Sequence, residues 1–249
     1  MSKLTSPNIL VILMTVISGC SDAISFLALG QVLTAAMTGN TVFLGLALVH
    51  AGGLKPVGYI VALLGFMLGA AIGSFVLRNN REVKGVTSSV LAALGVEAVL
   101  FMVFGILAVF APPSYGAYHL LLIVALSAAM GVQGTAARRI GVNGVPTTVI
   151  TSLTTGLIES LVWNTHGSFR QGINTSTATQ NSIIPASMIV VWIIDIIAYG
   201  VGAALCGAIE LHWHLHAIWL PFAIVSIVLI SALISGSFSG AKKNAELSA

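Results

Sequence analysis

The chain has 249 residues, of which 57% are hydrophobic and only 7% charged, and its mean hydropathy is +1.03. Ten Lys and Arg against seven acids give a formal charge of +3, too dilute for the clustered basic face that nucleic acid requires. A soluble domain carries about 25% charged residues, so the composition excludes an ordinary water-soluble enzyme and implies an all-α, polytopic bundle of transmembrane helices in a lipid bilayer.

From the N-terminus, Lys3, an apolar run from Ile9 and then Ile17-Ser18-Gly19-Cys20 have the outline of a lipoprotein signal. Ala23 to Leu29 is again apolar and more helices follow, so an uncleaved first helix is expected. Six segments read as full spans: Asn8–Leu29, Val57–Leu77, Val86–Phe110, Tyr118–Arg138, Ile183–Ile209 and Ala217–Ile234. Each approaches the roughly 20 residues that cross a bilayer. Two further segments, Thr34–Val49 and Thr147–Val162, are shorter, rich in threonine, and carry Asn40 and Glu159. They read as short buried spans or as segments that enter and leave on one side, which protein or a water-filled cavity must surround.

Lysine and arginine accumulate on the cytoplasmic side of membrane proteins. With both short segments re-entrant and the N-terminus inside, Lys3, Arg78, Arg81, Lys84, Arg138, Arg139, Arg170, Lys242 and Lys243 lie inside and only Lys55 outside. If both short segments span, the split is even; if only the first spans, with the N-terminus outside, it is eight to two. Six spans with both termini cytoplasmic is therefore the expected topology, and seven spans the second choice.

Two stretches about 112 residues apart resemble each other, one from Gly19 and one from Gly131. Thr34, Thr38, Thr41 and Leu44 match Thr147, Thr151, Thr154 and Leu157 at a single offset. In the six-span topology the halves, about 8–110 and 118–235 of a single transmembrane domain covering 1–249, are inverted relative to each other. Secondary transporters are often built this way, with a site near the midplane formed by broken helices.

Asp22 is the leading site candidate, because an acid within a membrane helix is costly and usually faces a cavity or a partner. It can load and release a proton or hold a cation; the competing reading is a helix-end carboxylate that caps or pairs with a neighbour. Thr38, Gly39 and Asn40 bring oxygens and a close backbone approach that suit a small polar solute, or alternatively helix packing. Gln133 stands where the first half has Ser21 and is expected near Asp22 or the substrate, with Thr147 and Thr151 on the second short segment. Glu97, Glu159 and Asp195 are relay candidates. Arg138 and Arg139 read as anchors at the membrane surface, and His212-Trp213-His214-Leu215-His216 as an interfacial anchor rather than a metal site. Cys20 and Cys206 suggest neither a zinc site nor a disulfide. No nucleotide, cofactor, metal or enzyme motif is present.

The blocks SDAISFLALG…AAMTGNTVFLGLAL, GVQGTAARRIG and TTVITSLTTGL resemble the YoaK family of bacterial membrane proteins, also called DUF1275, over nearly the whole chain. The resemblance implies a multi-pass inner-membrane protein and little about mechanism. Gln133-Gly134 and Thr151-Ser152 depart from the family's Gln-Asn and Thr-Gly, which favours a site built mainly from the first half. The expected function is a small-solute permease, not an enzyme, proton-coupled through Asp22; a passive channel or a non-transporting scaffold or sensor is the alternative. A second copy of the chain is a candidate partner.

Overall fold

The computed structural model describes residues 6–78, 86–110, 116–140, 154–155, 158 and 186–247. Seven α-helices order as α1 (Pro7–Ala28), α2 (Met37–Leu48), α3 (Pro56–Val76), α4 (Ser88–Val109), α5 (Ala117–Ile140), α6 (Ala186–Trp213) and α7 (Trp219–Leu247) among those residues. Local chemistry sets several of the starts. Pro7 and Pro56 occupy the first turns of α1 and α3, where no amide is needed, and the Thr87 hydroxyl accepts from Val90 N at 3.3 Å to cap α4.

Helices α1, α3, α4 and α5 are each long and apolar enough to cross a membrane, as is the stretch Ile189–Ile234 that holds α6 and the first part of α7. Within that stretch the chain breaks at His214, whose φ of 51° ends the helix, and a 3-10 turn (His214–Ile218) follows. The expected span Ile183–Ile209 thus runs on to Trp213, because Glu210 to Trp213 lengthen the helix before the break.

α1 packs along α6 and α3 along α5, the two most extensive pairings. Gly58, Gly65, Gly69 and Gly73 of α3 meet Ile123, Val124, Ala128 and Val132 of α5, in step. Thr15, Gly19 and Ala23 of α1 meet Asp195, Tyr199 and Gly207 of α6, again in step. Both pairs are therefore parallel. The α4–α5 hairpin is closed by Tyr118, whose hydroxyl donates to Leu107 O at 2.7 Å, so α4 opposes α5 and α3. Gly105, near the end of α4, faces Ile218 and Trp219, which follow the end of α6. Helices α1, α4 and α6 thus point one way, and α3 and α5 the other.

Two consequences follow. α1 and α5, which open the two halves, run in opposite directions, so the halves are inverted. The chain also leaves α1 and enters α3 at the same end, so residues 29–55 return to the side they left. α2, at about 18 Å for 12 residues, is too short for a hydrocarbon core of about 30 Å. The segment expected at Thr34–Val49 is re-entrant, and its helix begins only at Met37. Its second-half counterpart, with Thr147, Thr151 and Glu159, lies outside the described residues apart from three exposed positions, Thr154, Thr155 and Ile158.

The glycine contacts repeat with the halves. A Cβ on Gly19 would lie 2.1 Å from Tyr199 O, and on Gly131 2.2 Å from Phe66 O. A Cβ on Gly202 would lie 2.2 Å from Val16 O, and on Gly69 2.0 Å from Ala128 O. Gly19 and Gly131 are 112 residues apart, as are Val16 and Ala128; Phe66 and Tyr199 are 133 apart, as are Gly69 and Gly202. The same backbone approach is built twice, once per half. Gly65 and Gly69, whose spacing hints at a dimer interface, are used inside the chain against α5.

Candidate functional site

The residues around Asp22 form one unit at the end of α1. Gly30, at φ 83°, lets the chain turn left-handed, and Gln31 N donates back to Phe26 O at 3.1 Å, the bond that stops a helix at a glycine. The irregular segment that follows turns its amides onto Asp22. Thr34 N and Ala35 N each donate to Oδ1 at 2.7 Å, and Ala36 N donates to Oδ2 at 3.1 Å. From α6, the Tyr199 hydroxyl donates to the same Oδ2 at 2.5 Å. Asp22 is 4% exposed. All four partners donate, which is what an ionised carboxylate accepts and a protonated one would not fully use. The carboxylate fastens the re-entrant element to α1 and α6 just before α2 begins.

Asn40 holds the same segment from the other side. Its Oδ1 accepts from Leu33 N at 2.9 Å, and its Nδ2 donates to Leu33 O. Gly39 leaves room for Leu33, whose Cδ1 would lie 2.6 Å from a Cβ there. Thr38, by contrast, is on the exposed side of α2 and does not share a surface with the buried Asn40. Ser25 adds a further tie, its hydroxyl lying 3.4 Å from that of Thr34. The Asp-Ala and Thr-Gly-Asn elements thus meet around residues 33–36.

Gln133, 1% exposed, bridges α5 to α1. Its Nε2 donates to Met14 O and its Oε1 accepts from Ser18, both at 2.9 Å. Its partners lie one and two turns before Asp22, so it acts as a helix tie rather than a neighbour of that carboxylate. Arg138 and Arg139 end the same helix.

The remaining acids sit differently. Glu97 on α4 and Asp195 on α6 are each 0% exposed, and among the described residues none of their carboxyl oxygens has a hydrogen-bond partner within bonding geometry. Thr15 is beside Asp195 but donates to Val11 O at 3.0 Å. Glu210, also buried, has one oxygen without a partner among the described residues. The hydroxyls of Ser21 and Ser127 are also buried without a hydrogen-bond partner among the described residues.

Sequence reasoning missed Tyr199, the only side-chain donor to Asp22 among the described residues. The repeat carries the signal: Tyr199 stands where the first half has Phe66, and Asp22 stands where the second half has Gly134. Neither member of this pair has a polar counterpart in the other half. Cys20 and Cys206 are buried free thiols and neighbours across α1 and α6, which their distance in sequence concealed. In the histidine run, His212 Nδ1 meets Ala208 O at 2.9 Å and Trp213 is 67% exposed.

Comparison with known proteins adds a family and a relative. The family model described as DUF1275, protein of unknown function, matches residues 10–231. The UPF0700 transmembrane protein YoaK of Bacillus subtilis (strain 168) is 31% identical over 225 residues, covering 90% of this chain and 93% of that protein. No solved structure matches.

Proposed function

This chain belongs to the DUF1275 family, and from that premise we propose that it is a small-solute permease of the bacterial inner membrane. It moves solute by alternating access between two inverted halves, with both termini in the cytoplasm. The observation that carries this reading is the reciprocal pairing of α1 with α6 and of α3 with α5. Each half lends its first helix to the other, making two parallel helix pairs that can tilt against each other. Inverted repeats with a short broken element in the membrane are the construction of many secondary transporters.

Coupling to protons through an intramembrane carboxyl belongs to the reading. Asp22 has four donors and anchors the re-entrant element, so its part is to hold the shape of the pathway. Asn40 supports the same element, and Gln133 ties the moving pairs together through Ser18 and Met14. Glu97, whose carboxyl oxygens have no hydrogen-bond partner among the described residues, is the group free to exchange a proton, with Asp195 beside Thr15 as a second.

The test is efflux from proteoliposomes loaded with a defined mixture of small metabolites and ions, read by mass spectrometry. Protein-dependent loss of a subset of solutes is expected, saturable and faster than from protein-free liposomes. Equal loss from both, with the protein folded, would remove the permease reading.

A further inference from the structure

Glu97 lies halfway along α4, on its one buried stripe of Val90, Ala93, Leu94, Glu97, Phe101 and Phe104. It is 0% exposed, and both carboxyl oxygens lack a hydrogen-bond partner among the described residues. The contrast with Asp22 is instructive, since the same chemical group there is given four donors. A carboxylate left without donors at membrane depth is costly, and such residues commonly mark an ion or proton path.

Its position agrees with that role. Leu107 and Tyr118 fix the α4–α5 register. Ten residues back along α4 and ten forward along α5, about 15 Å each way, bring Glu97 level with Ala128. Adjacent in sequence is Ser127, whose hydroxyl is also buried without a hydrogen-bond partner among the described residues. α4 packs on α7, its counterpart in the other half, so the axis relating the halves passes beside α4. Glu97 is thus near that axis and at mid-height, where inverted-repeat transporters place their ion sites.

Resting on the permease reading, we propose that Glu97 is the cation-carrying group of this protein: it binds a proton or a small monovalent cation at the midplane and releases it when the halves rearrange. The elements packed on α4 offer few competitors. Among the described residues α5 carries Tyr118, which donates to Leu107 O, with His119, Arg138 and Arg139 near its ends, α3 carries Tyr59, and the 3-10 turn carries His214 and His216. α7 has no titratable residue from Trp219 to Ile234. None of these hydrogen-bonds Glu97.

The probe is dicyclohexylcarbodiimide, applied to the full-length protein in liposomes and followed by peptide mass spectrometry. A protonated carboxyl adds across its C=N bond: the acid proton goes to nitrogen and the carboxyl oxygen bonds to carbon. The acyl group then migrates to nitrogen, leaving a stable N-acylurea with no atom lost. Labelling of Glu97 but not Asp22 is expected, weakening as pH is raised, because only the protonated acid adds to the carbodiimide. It should be absent in Glu97→Gln, with that variant's thermal stability unchanged. Protection by sodium, lithium or potassium chloride relative to choline chloride would identify a metal cation; pH dependence without protection would identify a proton. No labelling at any pH, or labelling indifferent to both pH and cations, would overturn the proposal and leave Glu97 a structural acid. Solute efflux from the same liposomes is scored separately. Labelling without efflux removes the permease reading, and efflux without labelling removes the cation site.

Discussion

Replacing Asp22 tests the clamp that the structure builds around it. In Asp22→Ala the amides of Thr34, Ala35 and Ala36 lose their acceptor together with the Tyr199 hydroxyl. Each buried donor left unsatisfied costs about 1–3 kcal/mol, so the loss is on the order of 3–6 kcal/mol after partial relaxation. Asp22→Asn is milder. Its Oδ1 still accepts from Thr34 and Ala35, while its amide nitrogen opposes the Ala36 N–H and can only donate to the Tyr199 oxygen, so roughly 1–3 kcal/mol is lost. Tyr199→Phe removes a single charge-assisted bond, about 1.5–3 kcal/mol. Denaturation in detergent gives the order Ala, then Asn, below wild type, and hydrogen exchange reads amides 34–36 directly. In Asp22→Ala those three amides exchange fast while the middle of α1 stays protected. An Asp22→Ala protein within about 0.5 kcal/mol of wild type, with the three amides still protected, would refute the reasoning and return Asp22 to the solute or proton path.

The reciprocal glycines give a paired prediction. Gly69→Ala and Gly202→Ala each place a methyl about 2 Å from a backbone oxygen, so each should cost about 1–3 kcal/mol by overpacking in a thermal-unfolding assay. Gly95→Ala, with nothing within 4 Å, should be neutral or stabilising by up to about 1 kcal/mol through helix propensity. Gln133→Leu removes both α5–α1 hydrogen bonds and should cost roughly 1–3 kcal/mol, with a double-mutant cycle against Ser18→Ala showing coupling. Cys20 and Cys206, both fully buried, should resist maleimide in the folded protein and react fully once it is denatured.

Much of the fold was legible because span length and apolarity speak locally. The predicted span Asn8–Leu29 and the observed α1, Pro7–Ala28, differ by a residue at each end, since Pro7 and Gly30 mark its limits in the sequence. The re-entrant nature of Thr34–Val49 was legible only through the distribution of Lys and Arg, because twelve helical residues read alike whether they cross or return. The repeat was visible at Gly19 and Gly131, but its extension to Gly69 and Gly202 was not. Those glycines meet main-chain oxygens of the other half, and no local pattern announces that. At the site, sequence found Asp22, Asn40 and Gln133 as polar residues out of place. It did not find their partners, because Asp22 and Asn40 bind backbone amides and carbonyls that every residue has. Tyr199 lies 177 residues from Asp22, too far for any spacing rule.

The inverted, re-entrant architecture is the central claim, and sidedness tests it most directly. With Cys20 and Cys206 replaced, single cysteines at Gln31, His50, His214 and Arg78, all exposed, are labelled in intact vesicles with a membrane-impermeant maleimide. The account predicts that positions 31, 50 and 214 react from one side and position 78 only from the other. Reaction of 31 and 50 from opposite sides would make α2 a full crossing, turn the two halves parallel, and contradict the account.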